Sequence, residues 1–228
     1  MFFILGTSLI PLVLMKSRTA PVPTKTHYLI DKTAFSDLPY ILLNLGLIFG
    51  FMGLYIVLYY IELYALGETR ISKTLAKYLV VIINASSLAG RLIPGYYADK
   101  IGSINMQAVV ALSSAILTYC LMAIKNSPGL VVYSILYGFS AGAFMGLPAA
   151  GVVSLSKDKS KIGTRLGMTL AFVGFGVLVS NPIAGAILDG PGGWVGLITW
   201  CGVLLSASSA SMAASRVSKV GFGLKKAI

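Results

Sequence analysis

The sequence predicts an all-α, polytopic membrane helix bundle, and three observations carry the prediction. Hydrophobic residues fill 57% of the 228 positions and charged residues only 11%, where a water-soluble domain carries about a quarter charged. Six apolar runs each approach the roughly 20 residues that cross a bilayer core. The 18 basic residues, set against seven acidic ones for a net charge of +11, fall in short clusters between those runs. That placement is the mark of membrane topology and not of a nucleic-acid-binding face, so no nucleic acid partner is expected.

In chain order, Phe2–Met15 is apolar but too short to cross alone, and it contains Pro11. It has neither a basic leader nor a small-residue cleavage site before Lys16, so residues 1–15 read as the remnant of a preceding transmembrane helix and not as a signal peptide. Residues 16–37 are polar and basic, with Pro21 and Pro23, and form an expected cytoplasmic loop. Residues 38–213 hold the six spans, placed at Leu38–Glu62, Leu75–Gly95, Asn105–Ile124, Gly129–Ser154, Gly163–Leu188 and Gly192–Ala213. Each must satisfy its own backbone hydrogen bonds in lipid, and runs this long without alternation are helices and not barrel strands. Residues 214–228 are the basic tail.

Orientation follows from lysine and arginine. If residues 16–37 face the cytoplasm, the inner side holds four basic residues there, one at Lys100, four from Lys157 to Arg165 and four in the tail, thirteen in all. The outer side holds four: Arg70, Lys73, Lys77 and Lys125. The bias places both termini in the cytoplasm. Arg165, beside the basic loop, is explained by topology alone.

Within the spans, glycines recur four apart at Gly46 and Gly50, at Gly138, Gly142 and Gly146, and at Gly163 and Gly167. Such stripes admit a neighbouring backbone, either as tight bundle packing or as sliding surfaces of a moving protein. Pro94, Pro148 and Pro182 lie late in their spans and permit kinks. Charges inside spans are costly, by at least about 2.5 kcal/mol. Arg91 is the clearest, with Ser87 one turn earlier on its face and Asn84 a turn before that. Two readings stand: an arginine that snorkels to headgroups or pairs with Asp99, or one that holds a substrate carboxylate in its planar fork. Glu62, among Tyr59, Tyr60 and Tyr64, closes the first span as an interfacial carboxylate, with proton coupling as the alternative.

The octapeptide from Gly95 to Gly102, with Asp99 and Lys100 inside it, resembles the G-x-x-x-D-[RK]-x-G loop signature of the major facilitator superfamily. The resemblance implies that Asp99 caps a neighbouring helix and pairs with basic residues. Gly95 is expected to permit close helix contact and Gly102 a sharp turn. The run from Asn84 to Gly95 is similar to the eighth helix of monocarboxylate-porter-like transporters, especially the fungal branch. Ile162–Met168 and Asn181–Gly185 resemble the two ends of that family's eleventh helix, and Leu29–Asp31 with Phe49–Tyr55 its seventh. By this resemblance the chain is the carboxy-terminal six-helix half of a twelve-helix fold, and Arg91 falls on the arginine that binds the substrate carboxylate. Ser87 stands where animal members carry a proton-coupling aspartate.

The implied function is secondary transport of a small organic acid or other metabolite by alternating access. Substrate contact is expected at Arg91, Ser87 and Asn84, and the loop signature at Gly95, Asp99, Lys100 and Gly102. Because the pathway lies between two halves, flux would need a second copy or an amino-terminal half. The alternatives are a non-transporting half that packs with or modulates a full-length relative, and a secondary-metabolite efflux carrier. An enzyme is not expected: His27, Cys120 and Cys201 stand apart, and no nucleophile elbow, zinc-protease motif or phosphate loop occurs. No cofactor is implied. The expected partners are lipid and an organic anion, and the expected address is the plasma membrane.

Overall fold

A computed structural model describes residues 30–69, 71–156 and 158–221. The expected remnant at 1–15, residues 16–29 of the loop with His27, Arg70, Lys157 and residues 222–228 of the tail lie outside the described residues. The helices are α1 (Leu38–Glu68), α2 (Lys73–Ile101), α3 (Ser103–Cys120), α4 (Ser127–Gly146), α5 (Pro148–Leu155), α6 (Ile162–Asp189) and α7 (Gly193–Val220). Among the described residues they make six spans long and apolar enough to cross a membrane, with a 3-10 turn extending α3 to Ala123 and α4 joining α5 into Ser127–Leu155.

Local chemistry sets the ends. Asp31 caps a 3-10 turn, Lys32–Ser36, through the backbone N–H of Thr33 at 3.1 Å. Ser72 caps α2 through Leu75 at 3.3 Å and Asn126 caps α4 through Gly129 at 3.1 Å, each satisfying an otherwise orphan donor. Pro39 and Pro128 sit in first turns, where their missing N–H costs nothing. Pro94 and Pro182 lie inside continuous helices, whereas at Pro148 the helix breaks, with Leu147 as the joint.

Several spans outrun their expected limits. α1 continues six residues past Glu62 because Leu63, Tyr64, Ala65 and Leu66 keep it apolar, and it closes where the Thr69 hydroxyl donates to the Ala65 carbonyl at 2.6 Å. The second span reaches Ile101, not Gly95, and the last reaches Val220, not Ala213. Polar surface residues continue a helix once its apolar part has been anchored.

The spans alternate in direction, so the bundle has two ends. At the first, Ser103 meets Ser154, Lys219 donates to the Ser154 carbonyl, and Ser215 donates to the Pro39 carbonyl at 2.6 Å. At the second, Tyr64 donates to the Leu121 carbonyl at 2.9 Å and packs edge-on against Trp194 at 5.2 Å. The two most extensive interfaces join α1 to α7 and α2 to α4. The α1 span and the Ser127–Leu155 span are 56% and 61% buried over their most apolar windows, against 22% and 17% for α2 and α6. The first two are therefore the bundle's centre.

Lipid is as apolar as leucine, so close backbone approach and hydrogen bonds hold these interfaces. Gly46, Gly50 and Gly53 of α1 lie against Met212, Ser208 and Leu205 of α7. The Ser208 hydroxyl donates to the Gly46 carbonyl at 2.6 Å. Between α2 and α4 a Cβ at Gly90 would strike the backbone of Phe139, one at Gly138 that of Ile83, and one at Gly142 that of Ser87. The third expected stripe differs: Gly163 and Gly167 meet nothing within 4 Å, because that side of α6 faces away from the bundle.

Candidate functional site

Arg91 stands ten residues before the end of α2, about 15 Å along the axis from Ile101. Its side chain is exposed, and its nearest polar contact is Nη2 to the sulfur of Met145 on α4 at 4.0 Å. Asp99 is not its partner. Among the described residues no carboxylate pairs with Arg91. Ser87 packs its backbone on Gly142, and its hydroxyl donates to the Asn84 carbonyl at 2.7 Å. The Asn84 amide donates to the Val80 carbonyl at 2.9 Å. Both donors are therefore turned back onto their own helix, and the free charge of this face belongs to Arg91.

The signature segment is helical to Ile101. Gly102 is the only residue between α2 and α3, and its φ of 100° makes the turn that the sequence leads one to expect there. Gly95 does not serve helix contact: nothing lies within 4 Å of the position a Cβ would take. Five residues separate it from Gly90, and that rotation of about 140° turns it away from α4. Lys100 stacks over the Tyr96 ring at 4.6 Å. Asp99 is exposed and neither caps a helix nor pairs with a base among the described residues.

Glu62 is half-buried within α1, not at its end. Tyr59 and Tyr55 precede it on the same side of the helix, one and two turns earlier. Phe51, Tyr55 and Tyr59 stack in succession at 6.0 and 6.2 Å, and Phe51 meets the edge of Phe144 on α4 at 5.3 Å.

Arg165 is not explained by topology alone. It is 8% exposed, and its guanidinium lies between two carboxylates, with Nε 3.1 Å from Asp31 Oδ2 and Nη1 2.9 Å from Asp37 Oδ2. Lys161 Nζ reaches Asp31 Oδ1 at 3.2 Å. The Tyr40 hydroxyl donates to the Arg165 carbonyl at 2.8 Å and contacts the Thr169 hydroxyl at 3.0 Å, while the guanidinium lies 5.3 Å from the Tyr40 ring. The 2.6 Å bond from the Thr33 hydroxyl, working against burial, and then Arg165 and Lys161, hold the Asp31 carboxyl well below the usual carboxylate range. Two negative and two positive groups thus close the first end between α1 and α6. One signal for this was legible: Asp31 and Asp37 are the only acidic residues before Glu62.

Comparison with known proteins places this geometry. A family model described as the Major Facilitator Superfamily matches residues 4–218. The chain is 43% identical over 204 residues to an MFS-type transporter of Emericella nidulans, covering 89% of this chain and 46% of that protein. It is 36% identical over 219 residues to the fujikurins efflux protein of Gibberella fujikuroi, covering 95% and 47%. It is 34% identical over 195 residues to the aspyridones efflux protein of Emericella nidulans, covering 85% and 39%. The chain therefore spans about half the length of the curated relatives it matches.

Proposed function

The chain belongs to the major facilitator superfamily, a family of transporters and not of enzymes, and from that premise we propose that its six spans are the carboxy-terminal half of a monocarboxylate-porter-like carrier that moves an organic anion by alternating access. One observation carries the reading: an arginine well inside a span, exposed, with no acidic partner among the described residues. Such a charge is costly in hydrocarbon and calls for water and an anion. A guanidinium offers a carboxylate two parallel donors, and Ser87 and Asn84 line the same face. Glu62, half-buried on α1, is the candidate proton-coupling group. Asp99 and Lys100 are proposed to contact the other half, since Asp99 is exposed at the first end. That half is a separate amino-terminal segment or a second copy.

The names of two relatives, efflux proteins for aspyridones and for fujikurins, support export of a secondary metabolite as the direction of transport. The bias of basic residues supports a cytoplasmic first end, and the plasma membrane is the proposed address. The test is to express the chain alone and with a supplied amino-terminal half, and to follow labelled organic acids with Arg91 intact and as Arg91→Lys. No flux is expected from the chain alone. Carboxylate flux in the paired form should fall on substitution, because a point charge replaces a planar fork. Unchanged flux in Arg91→Lys would remove the assignment.

A further inference from the structure

Two edges of the bundle lack a neighbour. α2 packs chiefly on α4 and α6 chiefly on α1, while Phe51 of α1 meets Phe144 of α4, so the order is α2, α4, α1, α6 with α2 and α6 outermost. On α2, Leu88, Leu92 and Tyr96 form a stripe four residues apart and are 65%, 67% and 62% exposed. On α6, Gly167, Ala171 and Gly174 are exposed, and a Cβ at either glycine would meet nothing within 4 Å. One edge is a ridge and the other a groove.

The two edges match in level. α2 ends and α6 begins at the first end: Tyr96, Leu92 and Leu88 stand 5, 9 and 13 residues from Ile101, and Gly167, Ala171 and Gly174 stand 5, 9 and 12 from Ile162. Each bulky side chain is therefore within about 2 Å of the height of a small one. The charges match as well. Asp99 and Lys100 are exposed and in no ion pair among the described residues, and Lys100 shares the face of Tyr96, over whose ring it stacks. Ahead of α6, Asp158 is exposed, and Lys161 is 39% exposed while it holds Asp31. Taken towards the first end, α2 presents an acid and then a base, and the approach to α6 presents a base and then an acid. Lipid covers a ridge as well as protein does, but a groove of small residues gains its packing from another helix.

We infer that these edges pair with a second copy of this chain about a two-fold axis along the membrane normal, α2 of each copy lying antiparallel in the α6 groove of the other. Such an axis keeps both first ends on one side and makes the two seams identical. In each seam Asp99 faces Lys161 of the second copy and Lys100 faces its Asp158. Exposed pairs of this kind add little energy and set the register. An amino-terminal half takes the same edges, so self-pairing and carrier formation exclude one another. The pairing stands on the two edges, and its competition with that half rests on the reading of the chain as half of a carrier.

The test co-expresses two differently tagged forms of the whole chain, both Cys120→Ser and Cys201→Ala, and oxidises the membranes with copper phenanthroline. Leu92→Cys in one form with Ala171→Cys in the other should give a covalent dimer. Leu92→Cys with Val109→Cys, an exposed position on α3, should not. Gly174→Leu points into open space within one copy and should cut the yield about tenfold by filling the groove. Lys100→Glu should lower the yield and Asp158→Lys should restore it. A supplied amino-terminal half should also lower it. Equal yields at Ala171→Cys and Val109→Cys, native mass spectrometry from nanodiscs that finds single copies only, or a yield unchanged by a half that restores flux overturns the inference and leaves the carrier reading in place. Absence of flux with the supplied half removes the carrier reading and leaves the dimer.

Discussion

Arg165 Nε lies 3.1 Å from Asp31 Oδ2 across 134 residues of chain, and both side chains are buried. This contact joins the turn that leads into α1 to the first turn of α6. It fixes α6 at the first end, where Gly163 and Gly167 offer no packing of their own. Asp37 and Lys161 complete the neutralisation, so neither buried charge is left alone.

Arg165→Met should therefore destabilise the purified chain by about 3–5 kcal/mol, since it leaves Asp37 without its partner and the buried Asp31 with Lys161 alone. Arg165→Lys should recover only part of that loss, because one ammonium cannot bridge Asp31 and Asp37. Chemical unfolding in a mild detergent measures both.

Acid should act through the same pair. Asp31 is held below its ordinary value of 3.8, so its contribution is fully present above about pH 4 and is lost as pH falls through the folded value. The melting temperature of the wild type should be insensitive to Asp31 from neutrality to about pH 5 and should decline below about pH 4. Asp31→Asn should start lower and lose most of that acid limb. An identical acid limb in the variant would show that Asp31 is not its source.

The glycine stripes differ in what they do, and paired substitutions separate them. Gly142→Val pushes α2 from α4 at Ser87 and should cost about 1–3 kcal/mol or more. Gly167→Ala meets open space and should be neutral or slightly stabilising, by up to about 1 kcal/mol, through helix propensity. Unfolding in mixed detergent micelles compares the two.

At Gly102 the backbone has φ 100° and ψ 134° with no second loop residue to absorb strain. Gly102→Ala should cost about 1–3 kcal/mol. Because the turn aims α3 against α7, cross-linking yield between cysteines placed at Ala108 and Ser209, whose hydroxyl bonds the Ala108 carbonyl at 2.9 Å, should fall with it.

Spans were the most legible part, because a bilayer demands length and apolarity from consecutive residues, and α1, α2 and α7 differed mainly in where they stopped. Arg91 was legible as a charge inside an apolar run. The Arg165 network was not: one partner sits in the turn before α1 and the other opens α6, and nothing in local pattern joins them. The roles of Gly46, Gly50 and Gly142 against those of Gly163 and Gly167 were equally hidden, since spacing shows that a stripe exists and not whether a neighbour lies on it.

Composition and hydropathy pattern alone determined that this chain is a six-span helical bundle with its cations gathered in the connections, because those properties are set residue by residue by transfer into lipid. Tertiary structure alone decided which glycines are contact points, and that Arg165 is buried between Asp31 and Asp37 while Arg91 is left exposed with no carboxylate partner among the described residues. The reason is rotation: each helix places its residues around an axis, and only packing against a neighbour selects which side is inside.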